Sequence, residues 1–296
     1  MSPTETISAT ERPTQAPAPE VVPDAIKLQP TKGFSRVLAP RELWRYRDLA
    51  LQIVLRDITL RYRQTALGAA WAVLQPLAFM AVFSVFFGRL AGVPSDGIPY
   101  ALFSLAGLVP WMFFQSSMLL GAESLVLHTE LVSKIYFPRI FMPLGVIGAS
   151  MVDLGVAIVI LLVVVLVYGI VPSVAILMLP LLILVALAAA IGVAAALSAV
   201  NVRYRDVRYI VPFAVQIWMF LTPVAYPSSL LSQPWHTIVA ALNPMVGVVE
   251  GFRWAVLDTS TAPWTQMGVS TLAAAVIFFA GLAYFDRVER TFADII

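Results

Sequence analysis

The stretch RYRQTALGAAWAVLQPL, residues 61–77, sets positive charge directly against an apolar segment. Arg61 and Arg63 stand at its start, and no further charge follows until Arg89. A cationic boundary before about 20 apolar residues marks the cytoplasmic end of a membrane-spanning helix. Gln75-Pro76 then interrupts the run. Proline removes a backbone donor and clashes with the preceding turn. Such a breaker is tolerated in a membrane where neighbouring protein or a water-filled cavity satisfies the freed backbone. The segment is therefore expected to line a pathway rather than to lie wholly in lipid.

Composition extends this reading to the whole chain. Of 296 residues, 60% are hydrophobic and 12% charged, against roughly 45–50% and 25% in soluble domains. So few charges cannot cover a soluble protein of this size, which points to an all-α integral membrane protein. The net charge of +2 is too small to suggest a nucleic-acid partner. Cysteine is absent, which excludes disulfides, thiolate metal sites and cysteine nucleophiles. Residues 1–40 are rich in Pro, Ala, Thr and Glu without an apolar core, and are expected to form a disordered cytoplasmic tail rather than a signal peptide.

Uncharged runs cover 64–88, 97–122, 154–202, 209–249 and 259–285. The third is too long for one span, and YGIVPS at 168–173 supplies a turn in its middle. It reads as two helices, about 141–168 and 174–200. The fourth carries Pro212, Pro223, Pro227, Pro234 and Pro244. It reads as one helix, about 209–226, and a re-entrant external segment, about 228–250. The expected total is six transmembrane helices within a 64–296 permease domain. With both ends cytoplasmic, 17 of the 19 Lys and Arg residues fall inside, leaving Arg89 and Arg253 outside. The positive-inside rule favours that arrangement over a seventh span, which would place Arg287 and Arg290 outside.

Two further segments are too polar to span. In 41–63, polar residues recur at Arg41, Arg45, Asp48, Gln52, Arg56, Thr59 and Arg63, one face of a helix. An Arg-rich amphipathic helix carrying Trp44 suits a membrane interface, and a solvated helix packed on a cytoplasmic element is the other reading. Residues 122–139 form the longest cytoplasmic loop between spans. A short helix at about 123–136, with Glu130 four residues before Lys134, could grip a docking partner or merely connect two spans.

No catalytic constellation is visible. His128 and His236 fall on opposite sides of the membrane, so no metal site is expected. The HExxH, GxSxG and GxxxxGK[ST] patterns do not occur. Asp153 is the one clear intramembrane carboxylate, and a structural role outweighs a proton-carrying one. Aromatic residues are instead plentiful in the spans. Phe79, Phe83 and Phe86 stand at helical spacing, with Trp111 and Phe114 in the second span and Trp218 and Tyr226 in or near the fifth. They could pack against lipid, or offer flat apolar rings to a sugar.

LRDITLRYRQTALGAAWAVLQPL (55–77) resembles the first-span region of the permease subunits of polysaccharide ABC exporters, the Wzm-like proteins of O-antigen export and the related capsule and teichoic-acid exporters. LVSKIYFPRIFMP (131–143), NVRYRDVRYI (201–210), LTPVAYPSSL (221–230) and LNPMVGVVEGFRW (242–254) extend the resemblance in order from about residue 40 to the end. The resemblance implies a bacterial inner-membrane permease that is not itself an enzyme. It implies a second copy, and two separate ATPase subunits that hold ATP and Mg²⁺, with a lipid-linked polysaccharide as cargo. It further implies a coupling helix with Glu123, His128, Glu130 and Lys134, and a channel along the first and fifth spans lined by Phe79, Phe83, Phe86, Trp111, Phe114, Trp218 and Tyr226. Arg41, Arg45, Arg56, Arg61 and Arg63 would guide the lipid pyrophosphate. A proton-coupled transporter using Asp153 and a membrane enzyme acting on lipid-linked substrates are the alternatives.

Overall fold

The computed structural model describes residues 44–63, 68, 70–128, 137–230, 232, 234–259 and 261–289. Every regular element among them is helical. In chain order they are α1 (Arg47–Tyr62), α2 (Ala70–Phe83) continued by a π-helical turn (Ser84–Leu90), α3 (Tyr100–Leu127) and α4 (Phe141–Val167). A 3₁₀ turn (Val174–Met178) then leads into α5 (Leu179–Arg203), followed by α6 (Val207–Leu221), α7 (Trp235–Leu242), α8 (Met245–Leu257) and α9 (Trp264–Glu289). Arg41, Glu130, Lys134 and Arg290 lie outside the described residues.

Five of these helices are long and apolar enough to cross a membrane: α2 with its π-turn, α3, α4, α5 with its 3₁₀ turn, and α9. The fifth expected span corresponds to α6, whose 15 residues reach about 22 Å. That is short of a hydrocarbon core of about 30 Å. The chain leaves the helix at Thr222 in extended conformation. The run of prolines ends α6 earlier than residue 226, and the segment expected at 228–250 holds two distinct helices, α7 and α8.

α3 is the central element, buried over most of its length, whereas α2 is exposed over most of its own. α4, α5, α6, α8 and α2 all pack on α3. α5 also runs against α9, where Gly192 and Gly281 face each other so closely that a Cβ on either would strike the other helix's backbone. Small residues at such crossings let helix backbones meet where lipid offers no hydrophobic drive. A second apolar cluster joins Ile53 of α1, Leu125 of α3, Phe137, Phe141 of α4, and Leu282 and Phe285 of α9. It ties the loop preceding α4 to the first and last helices.

Two details depart from the sequence reading, the extent of α3 and the aromatic stripe, and the packing of α1 adds to it. The helix expected to begin at 123 is the end of α3, which runs unbroken to Leu127 because AESLVL contains no breaker. α1 packs along α4, with Ile53 near Gly145, Val54 near Gly148, and Arg61 and Tyr62 meeting Asp153. The segment is thus held to α4 at successive turns, while Leu51, Leu55 and Leu60 remain exposed. The aromatic stripe is also split. The π-turn, closed by Ala91 N–H to Phe86 C=O at 2.9 Å, inserts extra residues per turn. Phe83, at the end of α2, is 5% exposed and paired with Phe87 at 5.1 Å, while Phe86, within the π-turn, is turned away from it and 58% exposed.

Gly281→Ala is expected to lower the melting temperature of the purified protein in detergent, because neither backbone can yield; the overpacking costs about 1–3 kcal/mol. Gly155→Ala, at a position with open space around it, should leave the melting temperature near the wild-type value.

Candidate functional site

Two cavities have polar side chains in their walls. The first, about 420 Å³, lies between the end of α1, α2, α3 and α4. Ala72, Gln75 and Pro76 form part of its wall. Pro76 has no N–H to give the carbonyl of Ala72, so the breaker of the opening stretch faces this cavity. Asp153 stands at its other side, twelve residues into α4. Its two carboxylate oxygens accept from the Arg61 guanidinium and the Tyr62 hydroxyl. Arg61 also reaches the Ser150 hydroxyl at 3.4 Å, and Ser150 is 3.0 Å from Ser116 of α3. This chain of polar contacts crosses from α1 through α4 to α3, each group satisfied by the next.

The second site is built around Arg253 of α8. The side chain is 6% exposed. Its Nη1 donates to Pro223 C=O at 2.5 Å, Nη2 to Val224 C=O at 2.6 Å, and Nε to Phe103 C=O at 3.2 Å. The guanidinium lies 3.6 Å from the centre of the Phe103 ring. Glu250, one turn earlier on α8, offsets its charge. Gly107 of α3 makes the space, since a Cβ there would sit 2.7 Å from Nη2. Tyr100 donates to Ala225 C=O at 2.6 Å. Three successive carbonyls of the irregular segment after α6 thus receive side-chain donors, which non-helical backbone at membrane depth requires. Asn243 completes the junction by donating to Thr222 Oγ1 at 2.8 Å and accepting from Met245 N–H at 3.0 Å.

The expected site residues distribute as follows. Phe79 lines the first cavity. Trp111 and Phe114 are fully buried, with Trp111 Nε1 donating to Gln115 at 2.9 Å. Phe114 meets Trp218 of α6 edge-on at 5.3 Å, and Tyr226 donates to Phe220 C=O at 3.1 Å. Arg45 and Arg63 are exposed, whereas Arg56 is bonded to Asp57 and Arg61 to Asp153. Glu123 is half-buried at the end of α3, and His128 Nδ1 lies 3.1 Å from Ser124 C=O. The structure brings Arg61, Phe79 and Trp111 to one cavity and leaves the others dispersed. Sequence reasoning missed Arg253 and Gly107. The signal available was Glu250 and Arg253 at a spacing of three, which puts both on one face of an apolar helix.

Together, the apolar helices and these polar junctions define a multi-pass membrane protein with two internal sites. Among the described residues no three His, Asp or Glu side chains gather as a metal site would require. Residues 49–257 match the family described as ABC-2 type transporter, and the chain belongs to that family. It is 28% identical to the O-antigen export system permease protein RfbA of Myxococcus xanthus, over 86% of this chain and 97% of that protein. It is 26% identical to the protein of that name from Klebsiella pneumoniae, over 84% and 95%. It is 24% identical to the polysialic acid transport protein KpsM of Escherichia coli, over 80% and 92%.

Arg253→Met is expected to destabilise the protein by about 3–5 kcal/mol, as breaking a buried charged network does. Arg253→Lys should recover only part of this, because an ammonium cannot span the carbonyls as the planar guanidinium does. Protease cleavage within 222–232, followed with the melting temperature, reads the loss directly. A double-mutant cycle of Arg61→Met with Asp153→Asn should give a coupling of about 1–3 kcal/mol.

Proposed function

We propose that this chain is the membrane-spanning permease of an ATP-driven exporter that carries a lipid-linked polysaccharide from the cytoplasm to the outer side of the bacterial plasma membrane. The observation that carries the reading is family membership over residues 49–257, with near full-length likeness to permeases named for O-antigen export. The exposed faces of α2 and α6 support it. Phe79, Phe86, Phe213 and Phe220 are each at least 39% exposed in the isolated chain. Rings on these two helices suit a second copy packed opposite, with the glycan sliding between. A long polymer must pass many repeats through one passage, and aromatic faces make few directional demands on it.

In this reading, two copies of an ATPase subunit carry ATP and Mg²⁺ and dock at the cytoplasmic loop after α3, near Glu123, His128, Glu130 and Lys134. Both termini face the cytoplasm. Among the described arginines of this segment, the exposed Arg45 and Arg63 are best placed to meet the lipid pyrophosphate, a charge guanidinium groups bind well. Asp153 is held by Arg61 and Tyr62, which favours a structural ion pair over a proton carrier.

Deleting the gene should abolish surface glycan and leave polymer inside the cell, with restoration requiring both this chain and its ATPase. Surface glycan at the parental level in the deletion strain would refute the reading. Single cysteines at Asp206 and Ser229, in a chain with no native cysteine, should label from the cytoplasmic and outer sides respectively.

A further inference from the structure

We propose that the cavity beside α8 is a saccharide-binding site for a neutral or amino-substituted sugar unit, distinct from the aromatic path along α2 and α6. The cavity measures about 650 Å³, within the range of small-molecule sites. Four separate parts of the chain build it. Asp96 comes from the connection between the π-turn and α3, and Ser228 and Ser229 from the segment after α6. Trp254 lies on α8, Asp258 follows that helix, and Gln266 sits on α9. Ser229 Oγ donates to Asp96 Oδ1 at 3.2 Å, joining two of these parts across the cavity.

The wall has the mixed chemistry that sugar rings require. Carboxylates accept from sugar hydroxyls, serine hydroxyls both donate and accept, and the Gln266 amide does the same. Trp254 adds an apolar ring, held at 5.3 Å and 61° by Trp264. Asp96 and Asp258 both adopt left-handed backbone, with φ of 50° and 54°. Aspartate tolerates this conformation better than most residues other than glycine. Here the two aspartates set their carboxylates on opposing loops of one cavity.

Charge selects among sugars. Arg253 spends its donors on the carbonyls of Phe103, Pro223 and Val224, and its charge is offset by Glu250. Arg253 and Glu250 line the cavity together with Asp96 and Asp258, so negative charge is in excess on its wall. Neutral hydroxyls or an ammonium are welcome there, while a uronate or sialate is repelled. The inference rests on the export reading for its outward orientation and for the presence of glycan on that side.

Saturation-transfer NMR on the full chain in detergent tests it, with methyl glycosides of glucose, mannose, galactose, glucosamine and glucuronic acid as probes. Transfer is expected to at least one of the first four and not to the glucuronide. Asp258→Asn keeps a residue tolerant of left-handed backbone and should weaken binding about tenfold, the effect of one charge-assisted hydrogen bond. Trp254→Leu should remove the signal, and Ser229→Ala should weaken it in a protein whose melting temperature is unchanged. No transfer to any of the first four, equal transfer to the glucuronide, or unaltered binding in Asp258→Asn would overturn the proposal. Binding is read on the isolated chain, so its failure leaves the export reading intact. Loss of the export reading would show instead as normal surface glycan in the deletion strain.

Discussion

Arg253 carries its charge in a buried position, and the reason is the backbone that follows α6. Once the chain leaves helical geometry at Thr222, its carbonyls lose their intrahelical partners. Residues 222–225 are buried, so the replacement donors come from the protein. The guanidinium fork supplies donors at the angles that Pro223 and Val224 present, and Tyr100 supplies the next. The cost of burying the charge is offset by Glu250 and by the Phe103 ring beneath it. This one residue fixes α8 against α3 and the turn after α6 against both. Gly107 has to lack a side chain for the same reason.

The ion pair of Arg61 with Asp153 solves a related problem at the other end of α2. A carboxylate in an apolar helix is tolerable when a cation and a hydroxyl reach it together. Here both come from the last turn of α1, so the charge of Asp153 determines where the preceding helix ends. The first cavity lies just beyond, walled by the interrupted stretch of α2. Two motifs far apart in the sequence are thereby parts of one polar junction.

Much of this architecture was legible because the bilayer imposes simple rules. The lengths of apolar runs and the cationic ends placed α3, α4, α5 and α9 within a few residues, since nothing but a spanning helix satisfies such a run. The fifth span was less readable, because prolines report where a helix cannot continue and not how the freed carbonyls are satisfied. That answer depends on Arg253, thirty residues away. The Phe79, Phe83 and Phe86 stripe failed for a different reason. Helical spacing assumes α geometry, and the π-turn after Phe83 changes which face each ring occupies. No local pattern in SVFFGRL announced that turn. The continuation of α3 through Glu123 was also missed, because a charge was read as the end of a helix that only leaves the apolar layer there.

The contact between Gly192 and Gly281 has a mechanical consequence. Where backbones touch without intervening side chains, neither rotation nor sliding is possible without collision. α2 and α6 lack such a seam: they meet the remainder through side chains and turn broad faces away from it. Tolerance to substitution is thus partitioned: the α5–α9 crossing accepts nothing larger than glycine, whereas the outward faces of α2 and α6 have room for bulk.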